Sequence, residues 1–408
     1  MAKRIYNYEI FTHKKDKLLA IRKQRNRARR MKIALLLATL VLVVLVLHLI
    51  NGSRCRYYVY KNVREGEENV NVSYEKFASG YIKYSNNGIE YQKSLGDSEW
   101  NSPDSYTHPF VELSDRYILF GDKGANSLKL FDREGEVYSF TLKYPLAQAS
   151  VSNGGFIEAV LRGDNGNFIQ VYDKEGALVA DMKSSVDETG YPLAAAISPN
   201  GNLLAVSYYK LNGMQSGSSL VFYDLRGNVS RDIAAGFEYS DLMIPKLTFL
   251  DSDSMAAFGD GQVILYDIGN RPVEKKKISF DKTMESVFTG GKYFGLVLDN
   301  TEEEKGGRHI IKLYNKNGKE KLSRDIDMNY SRIRMWGNEI YAFNDTECMI
   351  MSTSGKLAWQ GELEGNTIEA VIPISGWRTY KVVFRDKTVD MHLRFWNFDT
   401  DSTVNERH

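Results

Sequence analysis

Leu128-Lys-Leu-Phe-Asp132-Arg-Glu-Gly135, Ile169-Gln-Val-Tyr-Asp173-Lys-Glu-Gly176 and Leu220-Val-Phe-Tyr-Asp224-Leu-Arg-Gly227 are three copies of one phrase. Each reads as a short strand, an aromatic residue, an acid and a tight turn closed by glycine. The phrase returns as Val263-Ile-Leu-Tyr-Asp267-Ile-Gly-Asn270 and Ile311-Lys-Leu-Tyr-Asn315-Lys-Asn-Gly318, and in worn form as Met349-Ile-Met-Ser-Thr-Ser-Gly355. Equivalent positions lie 41, 51, 43, 48 and about 37 residues apart. Repeats of this length without a helical period between the strands indicate propeller blades.

Gly88-Ile-Glu-Tyr-Gln-Lys-Ser-Leu-Gly96 and Met391-His-Leu-Arg-Phe-Trp-Asn397 add a unit at each end, giving eight in all. The expected fold is therefore all-β, a seven- to eight-bladed β-propeller with eight favoured, preceded by one N-terminal transmembrane helix. Closure of the ring would remove the edges that an open array exposes. A strand over Val70 to Ala78 is expected to complete the last blade.

Ile197-Ser-Pro-Asn-Gly-Asn-Leu-Leu-Ala-Val-Ser207 resembles the SPDGxxLA inner-hairpin phrase of TolB- and YVTN-like propellers. Ser354-Gly-Lys-Leu-Ala-Trp359 is similar to the TGxxxW tail of BamB-like blades. The chain thus resembles the WD40, YVTN and quinoprotein-like propeller class. Its layout resembles uncharacterised single-pass, membrane-anchored propeller proteins of anaerobic Gram-positive bacteria.

Working outward to the N-terminus, Ile33 to Ile50 comprises eight Leu, four Val, two Ile and two Ala, interrupted by Thr39 and His48. As a helix, eighteen residues cover roughly 27 Å, close to the roughly 30 Å of a bilayer's hydrocarbon core. Arg22, Lys23, Arg25, Arg27, Arg29, Arg30 and Lys32 precede this stretch. Positive charge there favours a cytoplasmic N-terminus, contact with membrane lipid and an extracytoplasmic remainder. No small-x-small site follows, and Arg54 rather than a small residue precedes Cys55, so an uncleaved signal anchor is expected. The expected division is a basic cytoplasmic tail over 1–32, a transmembrane helix over 33–50, a juxtamembrane stalk over 51–72 and the propeller over 73–408.

The chain's net charge of +1 conceals this division: residues 1–32 sum to +10 and the remainder to about −9. A composition with 43% hydrophobic and 26% charged residues excludes a collagen-like or largely disordered chain, and two Cys exclude a disulfide scaffold. Without a folded basic domain, a nucleic-acid partner is not expected.

Asp132, Asp173, Asp224 and Asp267 suit turn capping, with glycine taking the positive φ. Asp122, Asp164, Asp260, Asp345 and Asp386 fall in the preceding hairpins on different blades, too dispersed to share one calcium ion. Arg162-Gly-Asp164 reads as a hairpin turn. Six scattered His and two Cys nearly 300 residues apart form no metal or nucleophile motif, so no catalytic, cofactor or metal-binding residue is assigned. A disulfide between Cys55 and Cys348 would tie the stalk to a late blade.

Lys210 to Ser219 and Asp299 to Arg308 lengthen the connections between the second and third strands of their blades, which places both on one face of the disc. Lys246, Glu285, Arg332, Arg334 and Glu369 on innermost strands are candidates for the channel or a partner face. The expected function is a non-enzymatic, membrane-tethered binding or scaffold module for a cell-envelope protein or glycan. An extracellular glycan-acting enzyme or a single-pass signalling component is the alternative.

Overall fold

A computed structural model describes residues 29–43, 54–66, 71–94, 96–212, 215–226, 232–269, 271–301 and 306–396. The chain divides into two compact units, Met1–Arg54 and Cys55–His408. In the first, residues 29–43 form an α-helix that carries Arg29, Arg30 and Lys32. Among the described residues no helix is long and apolar enough to cross a membrane. The rest of the apolar stretch, 44–50, and Arg22, Lys23, Arg25 and Arg27 lie outside the described residues.

The second unit contains eight four-stranded antiparallel sheets. Blades 1 to 7 cover residues 73–103, 109–141, 146–184, 191–240, 246–279, 284–326 and 332–362, each with its strands in chain order. Blade 8 takes its first three strands from Ile368–Pro373, Thr379–Phe384 and Lys387–Arg394 and its fourth from Tyr57–Glu65. First strands pack against one another between blades 2 and 3, 3 and 4, 4 and 5, 6 and 7, and 8 and 1, so they surround the centre of the ring, called here the channel.

Burial follows position within the blade. Second strands are covered on both faces, so Ser254–Gly259 and Thr379–Phe384 are buried at every residue. Fourth strands face water, and Val273–Ser279 is exposed at all but one position. Apolar clusters fill the spaces between neighbouring sheets, as where Ala196, Phe222, Met255 and Tyr266 join blades 4 and 5.

The repeated phrase is the third strand and the turn after it. Its aromatic or equivalent residue marks a register shift against the fourth strand, at Leu130/Phe131, Val171/Tyr172, Phe222/Tyr223, Leu265/Tyr266 and Leu313/Tyr314. A bulge there strengthens the local twist and turns the chain outward. The next residue caps the turn: Asp173 Oδ1 accepts from the amides of Glu175 and Ala177 at 3.1 and 2.7 Å. Gly176 follows at φ +87°, where a side chain would be strained.

Two boundaries differ from the sequence expectation. The segment read as a stalk over 51–72 contains Tyr57–Glu65, which pairs antiparallel with Lys387–Arg394 and closes the ring. Its alternation breaks after Tyr60 because the outer half, from Lys61 to Glu65, faces solvent. The strand expected over Val70 to Ala78 is instead Ser73–Phe77, the first strand of blade 1. Cys55 and Cys348 share one buried cluster as free thiols, and the Arg378 guanidinium donates to Cys55 Sγ at 2.7 Å.

Candidate functional site

Strand alternation gives the disc two faces. Second-to-third turns and the connections between blades lie on one, called here the upper face; first-to-second and third-to-fourth turns lie on the lower. The two lengthened connections therefore share the upper face. Lys210 to Ser219 is not a free loop: Leu203–Asn212 and Gln215–Asp224 stay paired through Asn212↔Gln215 and form a projecting hairpin. Lys210 Nζ pairs with Glu238 Oε1 at 3.2 Å on its flank, and Leu211 stands 62% exposed near its tip.

All five residues singled out from the sequence lie on first strands: Lys246 in Lys246–Asp251, Glu285 in Met284–Gly290, Arg332 and Arg334 in Arg332–Trp336, and Glu369 in Ile368–Pro373. They do not form one cluster. Glu369 Oε1 accepts from Arg385 Nε at 3.3 Å, on the second-to-third turn of blade 8. Glu285 Oε2 lies 2.7 Å from His309 Nδ1, just after the connection over 300–308. The Tyr330 ring stands edge-on to that imidazole, and its hydroxyl donates to Ser286 Oγ at 2.8 Å.

Arg334 and Lys246 converge with two carboxylates the sequence reading did not single out. Arg334 donates from Nη2 and Nε to Glu75 Oε1 and Oε2 at 2.7 and 3.2 Å. Glu75 belongs to blade 1 and Arg334 to blade 7, so this two-point pair bridges past blade 8 at the channel wall. Arg332 and Tyr341 also line the small depression there. Glu112, on the first strand of blade 2, feels the charges of Lys246, Lys123, Glu75 and Arg334. Those groups come from blades 5, 2, 1 and 7, which identifies the meeting place as the channel.

Glu112 and Lys246 reach water yet are ringed by protein, and that surrounding is the largest influence on each. It raises the Glu112 carboxyl, against which Lys246 pulls down, and it lowers the Lys246 ammonium, against which Glu112 pulls up. Lys76, on the same strand as Glu75, is buried and lowered by desolvation to about 8; its Nζ donates to the Gly80 carbonyl at 3.0 Å.

Behind this set, Glu158 on the second strand of blade 3 is 1% exposed, with Oε2 unpartnered. Desolvation raises its carboxyl to about 8, opposed by a hydrogen bond with Ser150. In the unfolded chain the group releases its proton near 4.5, so the native state binds the extra proton between the two values. Stability should therefore fall as pH rises from about 4.5 to about 8. Glu158→Gln is expected to remove that slope, which amounts to about 3–4 kcal/mol between pH 5 and pH 8. Denaturant midpoints across this range check it; a parallel slope in the variant would refute the assignment.

Register explains why Glu75, Glu112 and Glu158 escaped the sequence reading. Their neighbours carry no turn phrase, and a one-residue slip would turn each away from its site. Among the described residues no three His, Cys, Asp or Glu side chains are grouped to hold a metal ion. A second, open groove lies on the lower face between blades 4 and 5, lined by Asn200, Asn202, Arg226 and Asp253.

The profile of DUF5711, a family of unknown function, matches residues 53–393. The chain belongs to DUF5711. The matched region of this DUF5711 member runs from just before the closing strand to the end of its partner strand, and so takes in the whole ring. No curated protein sequence matches it. Among solved structures it is similar to the C-terminal WD40 domain of Sif2, with a TM-score of 0.54 at 11% identity over 82% of this chain and 98% of that one. BamB from Moraxella catarrhalis gives 0.47 at 14% identity over 82% and 99% of the two chains. Chaetomium thermophilum Sqt1, bound in that structure to the N-terminus of ribosomal protein L10, gives 0.48 at 11% identity over 80% and 95%. At such identities the likeness concerns the fold of the DUF5711 chain alone.

Proposed function

We propose that this DUF5711 member is a membrane-tethered, extracytoplasmic binding module whose upper face engages another cell-envelope protein. The reading is supported chiefly by the projecting hairpin of blade 4, which rises on the same face as the paired strand ends Asp299 and His309 of blade 6. Exposed Tyr191 lies at the foot of that hairpin, where it pairs with Tyr209, and gives it an apolar base below Leu211. Apolar contacts ringed by charge are what a protein-binding surface requires. The tether reading is supported by the length and apolarity of Ile33 to Ile50 and by its basic flank.

Two of the three channel carboxyls are unavailable for proton transfer, which fits a non-enzymatic role. Glu75 is engaged on both oxygens by Arg334, and Glu158 is enclosed, so neither carboxyl is available as a general acid or base. His309 holds Glu285 on one side, but its Nε2 is buried without a partner, and no nucleophile among the described residues meets it.

Replacing residues 211–216 by a two-residue Asn-Gly turn preserves the base of the hairpin and removes its tip. Crosslinking in cells of the parent organism is expected to recover a partner with the parent chain and at least about fivefold less with the shortened one. Equal recovery, with both proteins folded by circular dichroism, would overturn the binding face.

A further inference from the structure

The five tryptophans of the chain divide into two enclosed and three exposed. Trp359 is buried in the core of blades 7 and 8, and Trp100 stacks on Phe131 at 4.8 Å. The other three, Trp336, Trp377 and Trp396, are 41%, 52% and 65% exposed. All three lie on the lower face in one sector. Trp336 ends the first strand of blade 7, Trp377 lies in the first-to-second turn of blade 8, and Trp396 follows the third strand of blade 8. Phe395 joins the last two, its ring 5.6 Å from both Trp377 and Trp396. Arg378 lies over Trp377 and Phe395 at 4.8 and 5.3 Å, so the rings are held in place rather than loosely displayed.

The chain joins the propeller in this same sector. The Cys55 amide donates to the Ala358 carbonyl at 2.8 Å and the Arg56 amide to the Arg394 carbonyl at 3.1 Å, two residues before Trp396. Only residues 51–54 separate Cys55 from Ile50, the end of the apolar stretch. At no more than about 3.6 Å per residue, a bilayer holding Ile50 lies within roughly 18 Å of Cys55. Exposed Arg56 and Lys356 border the aromatic sector.

Indole rings gain at the boundary between headgroups and acyl chains, where the ring body is apolar and its N–H is hydrated, and basic side chains there meet lipid phosphates. We infer that the lower face around blade 8 is a membrane-interface surface, in which Trp377 and Trp396 enter the lipid headgroup layer and Arg56 and Lys356 contact anionic lipid. This rests on the tether reading above and adds an orientation to it: the tryptophan face lies on the bilayer and the hairpin of blade 4 points away.

The test uses the full chain reconstituted into phosphatidylcholine–phosphatidylglycerol vesicles, with density flotation and tryptophan emission measured on the same sample. Lipids brominated near the glycerol end of their acyl chains quench only rings within the interface. Emission is expected to fall by roughly a third against unbrominated vesicles, and Trp377→Tyr with Trp396→Tyr should at least halve that loss. Tyrosine keeps the ring packing, so the loss can be read in folded protein. Leu211→Trp, on the opposite face, should add emission that the brominated lipid leaves unquenched. Flotation without quenching would reject the surface and leave the tether standing; failure to float would reject the tether and the surface with it. Quenching unchanged by the double substitution, or tryptophans shielded from lipid because a second protein copy covers them, would equally overturn the inference.

Discussion

A chain lacking residues 1–65 is expected to lose the folded propeller, while one lacking residues 1–53 keeps it. The difference is Cys55 and the closing strand. Tyr57–Glu65 supplies the hydrogen-bond partners of Lys387–Arg394, and without it that strand becomes an exposed edge. Packing is lost with it. Tyr58 is 2% exposed, stands edge-on to Trp359 at 5.5 Å, and its hydroxyl accepts from the Glu364 amide at 3.0 Å. Removing a buried aromatic side chain of this kind costs about 3–5 kcal/mol by itself. Cys55 and half-buried Tyr60 leave the same cluster, which also holds Val389, Met391 and Leu393. Together these losses match the whole stability of an ordinary domain, about 5–15 kcal/mol. Far-UV circular dichroism and size-exclusion chromatography of the two truncations check the expectation. A monodisperse, cooperatively melting chain of residues 66–408 would show that the ring does not depend on this strand.

Asp390→Ala is expected to destabilise the protein by about 3–5 kcal/mol. Lys381 Nζ donates to Asp390 Oδ1 at 2.6 Å, with the two side chains 3% and 5% exposed. The other carboxylate oxygen accepts from Asn62 Nδ2 at 2.8 Å, and Asn62 sits at φ +50° in the register shift of the closing strand. Truncating the aspartate would leave an ammonium enclosed without its counter-charge and an amide without its acceptor. Combining Lys381→Met with Asp390→Leu removes both charges and should recover most of the loss, because burying an ion pair costs desolvation that apolar side chains do not incur. Urea-denaturation midpoints of parent, single and double variants test this; a single variant within about 1 kcal/mol of the parent would refute it.

The third strands were legible because two adjacent residues each perform a local task at the same place in the chain. In Ile169-Gln-Val-Tyr-Asp173 the tyrosine marks the bulge and the aspartate caps the turn, so local chemistry leaves a signature independent of the rest of the ring. The inner-hairpin phrase from Ile197 to Leu203 was legible for the same reason: Ser198 Oγ accepts from the Leu203 amide at 3.0 Å, and Gly201 adopts φ +72°. First strands have no such signature. Their side chains are selected by what stands across a channel, and Glu75 acquires its meaning only beside Arg334, 259 positions later.

The closing strand was hidden for a different reason. Its outer half, Lys61-Asn-Val-Arg-Glu65, is exposed and charged, so it resembles a linker, and its pairing partner lies at the far end of the chain. The sector of exposed tryptophans was equally illegible. Trp336, Trp377 and Trp396 occupy three separate turns and strand ends, and only the ring brings them to one side.

That pairing also bears on how the protein is made. Asn62 and Asp390 are 328 residues apart, so the strand that leaves the ribosome first must wait for a partner made more than three hundred residues later. At about 5–20 residues per second the delay is tens of seconds, long beside the microseconds in which a hairpin forms. Blades 1 to 7 are each built from neighbouring segments and can assemble as they emerge, whereas blade 8 cannot be completed until Lys387–Arg394 has been made. Synthesis of Lys387–Arg394, rather than collapse of any single blade, then sets the moment at which the ring becomes whole.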